Sequence, residues 1–372
     1  MKDYDKSIII GTLLLCFFGV LMVFSASSIY ALKLYGNKYY FVERQAIFLI
    51  LGLLVAWFMA VINIDIVRKY IYLLYGLSII LLVLVFIPHV GVVVSGSHRW
   101  LRISGFTLQP SEFAKPILVL LVAHIIEERG QKLNNPIPVL LPLFYTAIIL
   151  LLIIKEPDFG TAMIIAIVVF AMLFLSGASI ASLLLAFSSI VPVAILLVLH
   201  STYRLNRIKA FLDPWQHAKT GGFQIVQSTL AYGAGGVSGV GLGNSFEKLF
   251  YLPEAHTDFI FSVVAEELGF IGVALVISVF ILIITKAFSI GARAESLFTK
   301  STVYGLTLFI SIQVIINIAV TLGLLPTKGL TMPFISYGGS SLTAQLMSVG
   351  IILNLSKRVN DGSDEVDNSR WW

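Results

Sequence analysis

Charge is scarce in this chain. Only 12% of its 372 residues are Asp, Glu, Lys or Arg, about half the roughly 25% usual for a soluble domain, so it lacks the polar residues needed to cover a water-facing surface. That excludes a soluble enzyme. Cysteine is nearly absent: Cys16 stands alone inside an apolar run, which excludes an internal disulfide and says nothing about compartment. His, Cys, Asp and Glu do not recur at metal-ligand spacing, and no strand-turn-helix context surrounds the glycines that a dinucleotide fingerprint would need. The ten-residue alternation of an outer-membrane barrel is missing, as is an internal repeat of the kind many transporters carry. The formal net charge of +5 has no aromatic-interleaved basic cluster behind it, so no nucleic acid is expected as a partner.

What is present is apolar: 58% of the chain. A spanning helix takes about 20 residues. The runs predict an all-α integral membrane protein with about ten transmembrane helices, near 7–24, 43–62, 70–88, 112–126, 139–154, 160–176, 180–200, 258–286, 302–323 and 340–355. A large extracytoplasmic loop, about 201–257, separates the seventh from the eighth. The first run is too long for the apolar core of a signal peptide and is expected to stay as an anchor. Residues 1–356 read as one polytopic membrane domain, and 357–372 as a cytoplasmic tail, disordered or appended. Placing both ends in the cytoplasm gives the inside the higher density of Lys and Arg in short loops, among them Lys2, Arg68, Arg129, Lys132 and Arg358.

Charges inside spans are costly, so each is a candidate for function. Glu112 and Lys115 open the fourth span one turn apart, as a local ion pair or as ligand contacts. Ahead of them, Arg99 and Arg102 flank Trp100, and could hold phosphate or anchor to lipid headgroups. The turn at 155–161 holds Lys155, Glu156 and Asp158 at the membrane boundary, by itself a weak signal. In the long loop, Arg204, Arg207 and Lys209 alternate with apolar residues like an interfacial amphipathic helix. Gln224, Gln227 and Ser228 follow, then a glycine-dense stretch, 233–243, whose backbone amides can cradle a phosphate.

The segment PEAHTDFIFSVVAEELGFIG, 253–272, gathers Glu254, His256, Thr257 and Asp258 before a long apolar run. Thr257 is expected as the helix N-cap with Asp258 in the first turn, which the helix dipole alone would favour. Catalysis or proton handling by Asp258 is the competing reading. Near the end, PTKGLTMPFISYGGSSL, 326–342, breaks the hydrophobic path between two spans as cavity-lining backbone does. Lys328 is its compact cation.

In order and spacing these clusters resemble the SEDS family (shape, elongation, division, sporulation) of bacterial cell-wall proteins. The likeness rests on PEAHTDFIF followed by EELG, and on PTKGLTMPFISYGGSSL, whose form around Lys328 is that of the family's cell-division member. It spans nearly the whole chain to about 357; only the Lys155-Glu156 start of the turn and the acidic end stand outside it. The resemblance implies ten helices in the bacterial inner membrane, both ends cytoplasmic, at the division septum. It also implies peptidoglycan glycosyltransfer, joining lipid II to a glycan strand carried on undecaprenyl pyrophosphate, with Asp258 as catalytic base on the acceptor 4-hydroxyl. Substrate binding would fall to Arg99, Arg102, Glu112, Lys115, Arg204, Arg207, Gln224, Gln227, Ser228, Glu254, His256, Thr257, Lys328, Ser336, Tyr337, Gly338 and Gly339. No cofactor is certain, although a divalent cation, Mg or Mn, could bridge the diphosphate. The implied partners are a class B penicillin-binding protein, as transpeptidase, and other division proteins. A lipid II flippase using the same cavity is the alternative.

Overall fold

The computed structural model describes residues 4–94, 97–103, 106–130, 133, 135–248 and 252–364. Lys2, Lys132 and the acidic end from 365 lie outside the described residues. The chain starts with α1, Lys6–Tyr35, capped by the Asp5 carboxylate, which accepts from the Ser7 amide at 2.9 Å. Gly36, at φ 68°, ends it in the left-handed conformation that glycine adopts without strain. Then come α2 (Tyr40–Val61), the short α3 (Ile64–Lys69) and α4 (Ile71–Leu84). Pro110 and Pro136 open α5 (Pro110–Arg129) and α6 (Pro136–Lys155) in the first turn, where a missing N–H has no partner to lose. Helices α7 (Phe159–Leu175), α8 (Ile180–Leu199), α9 (Thr202–Leu212), α10 (Phe223–Gly235), α11 (Ile260–Arg293), α12 (Leu297–Thr321) and α13 (Gly339–Asn360) complete the order.

Among the described residues, α1, α2, the 137–155 part of α6, α11 and α12 are long and apolar enough to cross a membrane, and α4 and α7 are shorter apolar helices. With α5, α8 and α13 they fill the ten expected places. α5 and α13 carry more polar side chains for a physical reason: most of α5 from Pro110 to Ile126 and every residue from Ser340 to Ser356 in α13 are buried against protein, so neither helix needs an all-apolar surface. It packs against α2, α5 and α12. A Cβ at Gly350 would lie 2.3 Å from the Ala56 carbonyl, so the α2–α13 contact depends on a small residue there. On its other face α2 exposes Ile50, Leu54 and Trp57.

Three features depart from the expectations. First, the connection between α4 and α5 folds into an antiparallel sheet, β1 (Gly91–Val94), β2 (Ser97–Ile103) and β3 (Phe106–Leu108), in the order β1-β2-β3. Its β-branched and aromatic residues favour extended backbone. Second, α11 breaks at Gly269 (φ 63°, ψ −164°), and the glycine-dense stretch docks its backbone into the break. The amides of Val240 and Gly241 donate to the carbonyls of Glu266 and Glu267, and those of Phe270 and Ile271 to Gly236 and Val237. The Val240 and Gly241 amides therefore join the loop to α11 and are not available to cradle a phosphate. Third, α13 continues past 357 to Asn360, Arg358 pairs with Asp65, and Asp364 accepts from the Glu295 amide at 3.0 Å and the Thr299 hydroxyl at 2.6 Å. These polar groups tie Arg358 to α3 and Asp364 to the start of α12.

Candidate active site

Asp258 lies in the turn 253–259, ahead of α11. The helix starts at Ile260 with Phe259 in the cap position and no side-chain cap, so Thr257 is not the N-cap and Asp258 is outside the first turn. Other bonds hold this backbone. The Thr257 hydroxyl donates to the Glu254 carboxylate at 2.7 Å, and the Ser336 hydroxyl donates to the Thr257 carbonyl at 2.6 Å. The Tyr337 amide donates to the His256 carbonyl at 2.9 Å. From mid-α12, the Asn317 amide group donates to the carbonyls of Asp258 (2.9 Å) and Leu330 (2.7 Å), pinning the two long sequence motifs together. A Cβ on Gly329, at φ 61°, would stand 3.4 Å from Asp258 Oδ2, so the backbone of the second motif passes directly beside the carboxylate.

Two guanidinium groups held on neighbouring elements act electrostatically on Asp258. Arg207 on α9 donates to the Thr327 carbonyl at 2.7 Å. The β1–β2 register shifts between Val92 and Val93, which pair with Trp100 and His98, leaving Arg99 as the extra residue of a β-bulge. Bulges re-aim side chains. Here Arg99 donates to the carbonyls of Glu156 (3.0 Å) and Pro157 (2.6 Å), with Asp158 at 4.0 Å. Burial pushes the Asp258 carboxyl up to about 7; Glu254 adds to the shift, and Arg207 and Arg99 oppose it. A carboxyl titrating near neutrality can both hold and release a proton at working pH. Lys328, whose Nζ rests 3.0 Å from Met163 Sδ on α7, is lowered by burial to about 8.

The other expected residues are placed as follows. Glu112 and Lys115 form a buried ion pair at 2.8 Å inside the bundle, beside Gln313, Gln345 and Ser348. Arg102 is exposed on β2, and Gln224 is half-buried on α10. Arg204 stacks its guanidinium 5.2 Å over the Phe159 ring. Gln227, with its amide turned to donate, lies 2.8 Å from Glu247, and Ser228 bonds Ser262 at 2.6 Å, so both serve contacts around α10. His256 sits among aromatic rings, 4.5 Å from Phe41, and burial lowers it. Ser336 and Tyr337 clamp the first motif, the Gly338 amide donates to Gln45 at 3.3 Å, and a Cβ on Gly339 would strike the Phe48 ring at 2.3 Å.

Sequence reasoning missed Asn317 and Gln45, whose signal is a lone amide inside an apolar span, and undervalued Glu156. That carboxyl is fully buried, and neither oxygen has a hydrogen-bond partner among the described residues. Burial, then Asp158, pushes it up to about 9 against Arg99, so it is neutral at pH 7. The folded state thus holds its proton more tightly than the unfolded chain does. This stabilisation is complete below the ordinary carboxyl range and is lost as pH rises through about 9. Glu156→Gln, a neutral isostere, is expected to flatten the fall of Tm between pH 5 and 9; equal slopes in both proteins would show that Glu156 is ionised.

Among the described residues no group of three or more His, Cys, Asp or Glu could hold a metal ion. The surroundings of Asp258, two guanidinium groups among them, do not fit a protein-held divalent cation.

Fold and site together define a multi-pass membrane protein with a titratable, charged site at one end of its helical bundle. The chain belongs to the FtsW/RodA/SpoVE family, described as cell cycle proteins, whose model matches residues 5–361. It is 44% identical over 357 residues to the protein of Trichlorobacter lovleyi named Probable peptidoglycan glycosyltransferase FtsW, covering 96% of this chain and 94% of that one. Its structure is similar to a chain of a peptidoglycan synthase complex described as coordinating polymerization and crosslinking, with TM-score 0.80, 29% identity, and 96% and 98% of the two chains covered. It is also similar to the rod shape determining protein RodA of Thermus thermophilus, with TM-score 0.70, 27% identity, and 95% and 97% covered.

Proposed function

We propose that this protein is a peptidoglycan glycosyltransferase of the SEDS family, polymerising lipid II into glycan strands for the division septum, with Asp258 as its catalytic base. The names of its relatives support the reaction class. The observation that carries the residue assignment is the carboxyl of Asp258, brought near neutrality beside the Gly329 backbone and within the field of Arg99 and Arg207. In this reading both termini are cytoplasmic, residues 1–356 act as one membrane domain, and the Asp258 end opens outward from the inner membrane.

The chemistry needs one base. Asp258 takes the proton of the acceptor 4-hydroxyl as that oxygen attacks the anomeric carbon of the lipid-linked strand, inverting it. The bond to diphosphate breaks, and undecaprenyl pyrophosphate departs as a stable anion that needs no acid. No second carboxylate is required, unlike in a hydrolytic glycosidase. Arg99, Arg207 and Lys328 supply positive charge where the diphosphate develops its own. Arg99 and Arg207 already bond backbone carbonyls, which pre-orients them. Strand crosslinking falls to a class B penicillin-binding protein, in keeping with the synthase complex that this fold matches.

The test is polymerisation of purified lipid II by the purified protein, alone and with such a transpeptidase, across pH. A base must be unprotonated, so the rate is expected to climb as pH rises through about 7 and then level off. Glycan strands made at a rate independent of pH would remove Asp258 as the base. Transport of lipid II without any glycan product would replace the enzyme with a flippase.

A further inference from the structure

α1 is longer than a membrane requires. Its 30 residues span about 45 Å, against a hydrocarbon core of about 30 Å, so its last turns stand beyond the core. These turns lie at the Asp258 end, where Tyr30 is 5.6 Å from the ring of His256, two residues before the carboxylate. Phe41, at the start of α2, bridges His256 (4.5 Å) and Tyr337 (5.0 Å). From Phe41 the rings continue onto Tyr35 and Tyr40. Tyr35 lies flat on Tyr40 at 3.9 Å and is 51% exposed; Tyr39 stacks on Phe24 and is 45% exposed. The Arg44 guanidinium covers the Tyr40 ring at 4.5 Å.

We propose that this aromatic surface, running from His256 across the α1–α2 connection, is a binding track for the glycan strand next to the bond-forming site. The proposal rests on the glycosyltransferase reading above. A polymerase that adds units one after another must keep hold of a polymer that extends past its reacting carboxylate, and a saccharide presents C–H faces that rest on exposed aromatic faces. Arg44 and Lys38, the latter 5.0 Å over Tyr39, add cations that suit the carboxylates of stem peptides. A membrane-anchoring belt would turn its rings towards lipid headgroups all round the bundle. Here Tyr30, Tyr35, Tyr40, Phe41 and Tyr337 pack as one connected cluster onto His256, in the loop that carries Asp258, and the stacked pair of Tyr39 and Phe24 lies beside them.

The experiment compares wild type with Tyr35→Ala/Tyr39→Ala, Tyr35→Leu/Tyr39→Leu and Tyr35→Phe/Tyr39→Phe in the full-length protein. The readouts are Tm, initial rate and the length distribution of glycans made from purified lipid II. Both tyrosines are exposed, so folding is expected to survive. The Ala and Leu pairs should shorten the mean glycan about five- to tenfold while first-bond formation stays near wild type, and the Phe pair should restore length. Normal lengths in the Ala pair would overturn the track. So would rescue by the Leu pair, since an apolar contact to a protein or to lipid would then account for the surface. Wild-type protein that makes no glycan would instead defeat the enzymatic reading itself. If the Ala pair unfolds, the Leu and Phe pairs alone decide, because both keep apolar bulk and only Phe keeps the ring.

Discussion

Asp258→Asn is expected to lower lipid II polymerisation by about 10²–10⁴-fold, the usual worth of general-base assistance, while leaving the protein folded. The substitution keeps size and hydrogen-bonding capacity and removes only the ability to accept a proton. The bonds that set this turn are made to backbone: Asn317 to the Asp258 carbonyl and Ser336 to the Thr257 carbonyl. Neither depends on the carboxylate. Burial and Glu254 already hold Asp258 close to half-protonated at neutral pH, so a neutral side chain relieves the local repulsion rather than adding to it. Tm should therefore stay the same or rise slightly, and lipid II should still bind. A stabilising role at a helix start is not available as an alternative explanation of lost activity, because α11 begins only at Ile260. Glycan product and Tm measured on one preparation decide the matter: an Asn variant that polymerises at the wild-type rate ends the catalytic assignment.

How far the sequence could be read depended on where each part faces. Helices in contact with lipid must be apolar along 20 residues, so α1, α2, α6, α11 and α12 were legible from composition alone. α13 was legible only as a run between breakers, since its Ser, Thr and Gln residues face protein. The end of α1 could not be read. The apolar run suggested a boundary near Phe24, but the helix continues to Tyr35. The two long motifs pointed to one site, and Asn317 and Gly329 now join them. What joins the rest is long-range and leaves no local pattern. Arg99 reaches Glu156 and Pro157 only through a β-bulge in a sheet that no periodicity announced, and Arg207 reaches Thr327 across 120 residues. Glycines misled in the opposite sense. A dense run suggested a phosphate cradle, yet the same property, close backbone approach, serves the docking of 236–241 onto the break at Gly269.

Lys248→Met should be the most destabilising single change in this part of the loop. Lys248 Nζ donates to Glu267 at 2.7 Å and lies 3.1 Å from the Ser25 hydroxyl, which itself donates to both Glu267 oxygens at 2.6 and 2.8 Å. Lys248 and Glu267 are almost wholly buried, and the cluster ties α1 and α11 to the loop that leads to Asp258. Met preserves the apolar stem and removes the charge, leaving Glu267 with Ser25 as its remaining side-chain donor. An unpaired buried charge of this kind costs about 3–5 kcal/mol, which thermal unfolding would register as a large drop in Tm. Adding Glu267→Gln to Lys248→Met removes the orphaned charge, and the double variant should regain most of the lost stability. The two singles, the double and wild type form a cycle whose coupling measures the pair directly. Additive losses would mean that the ion pair contributes no interaction, and that the backbone bonds from Val240 and Gly241 to α11 are what hold the loop in place.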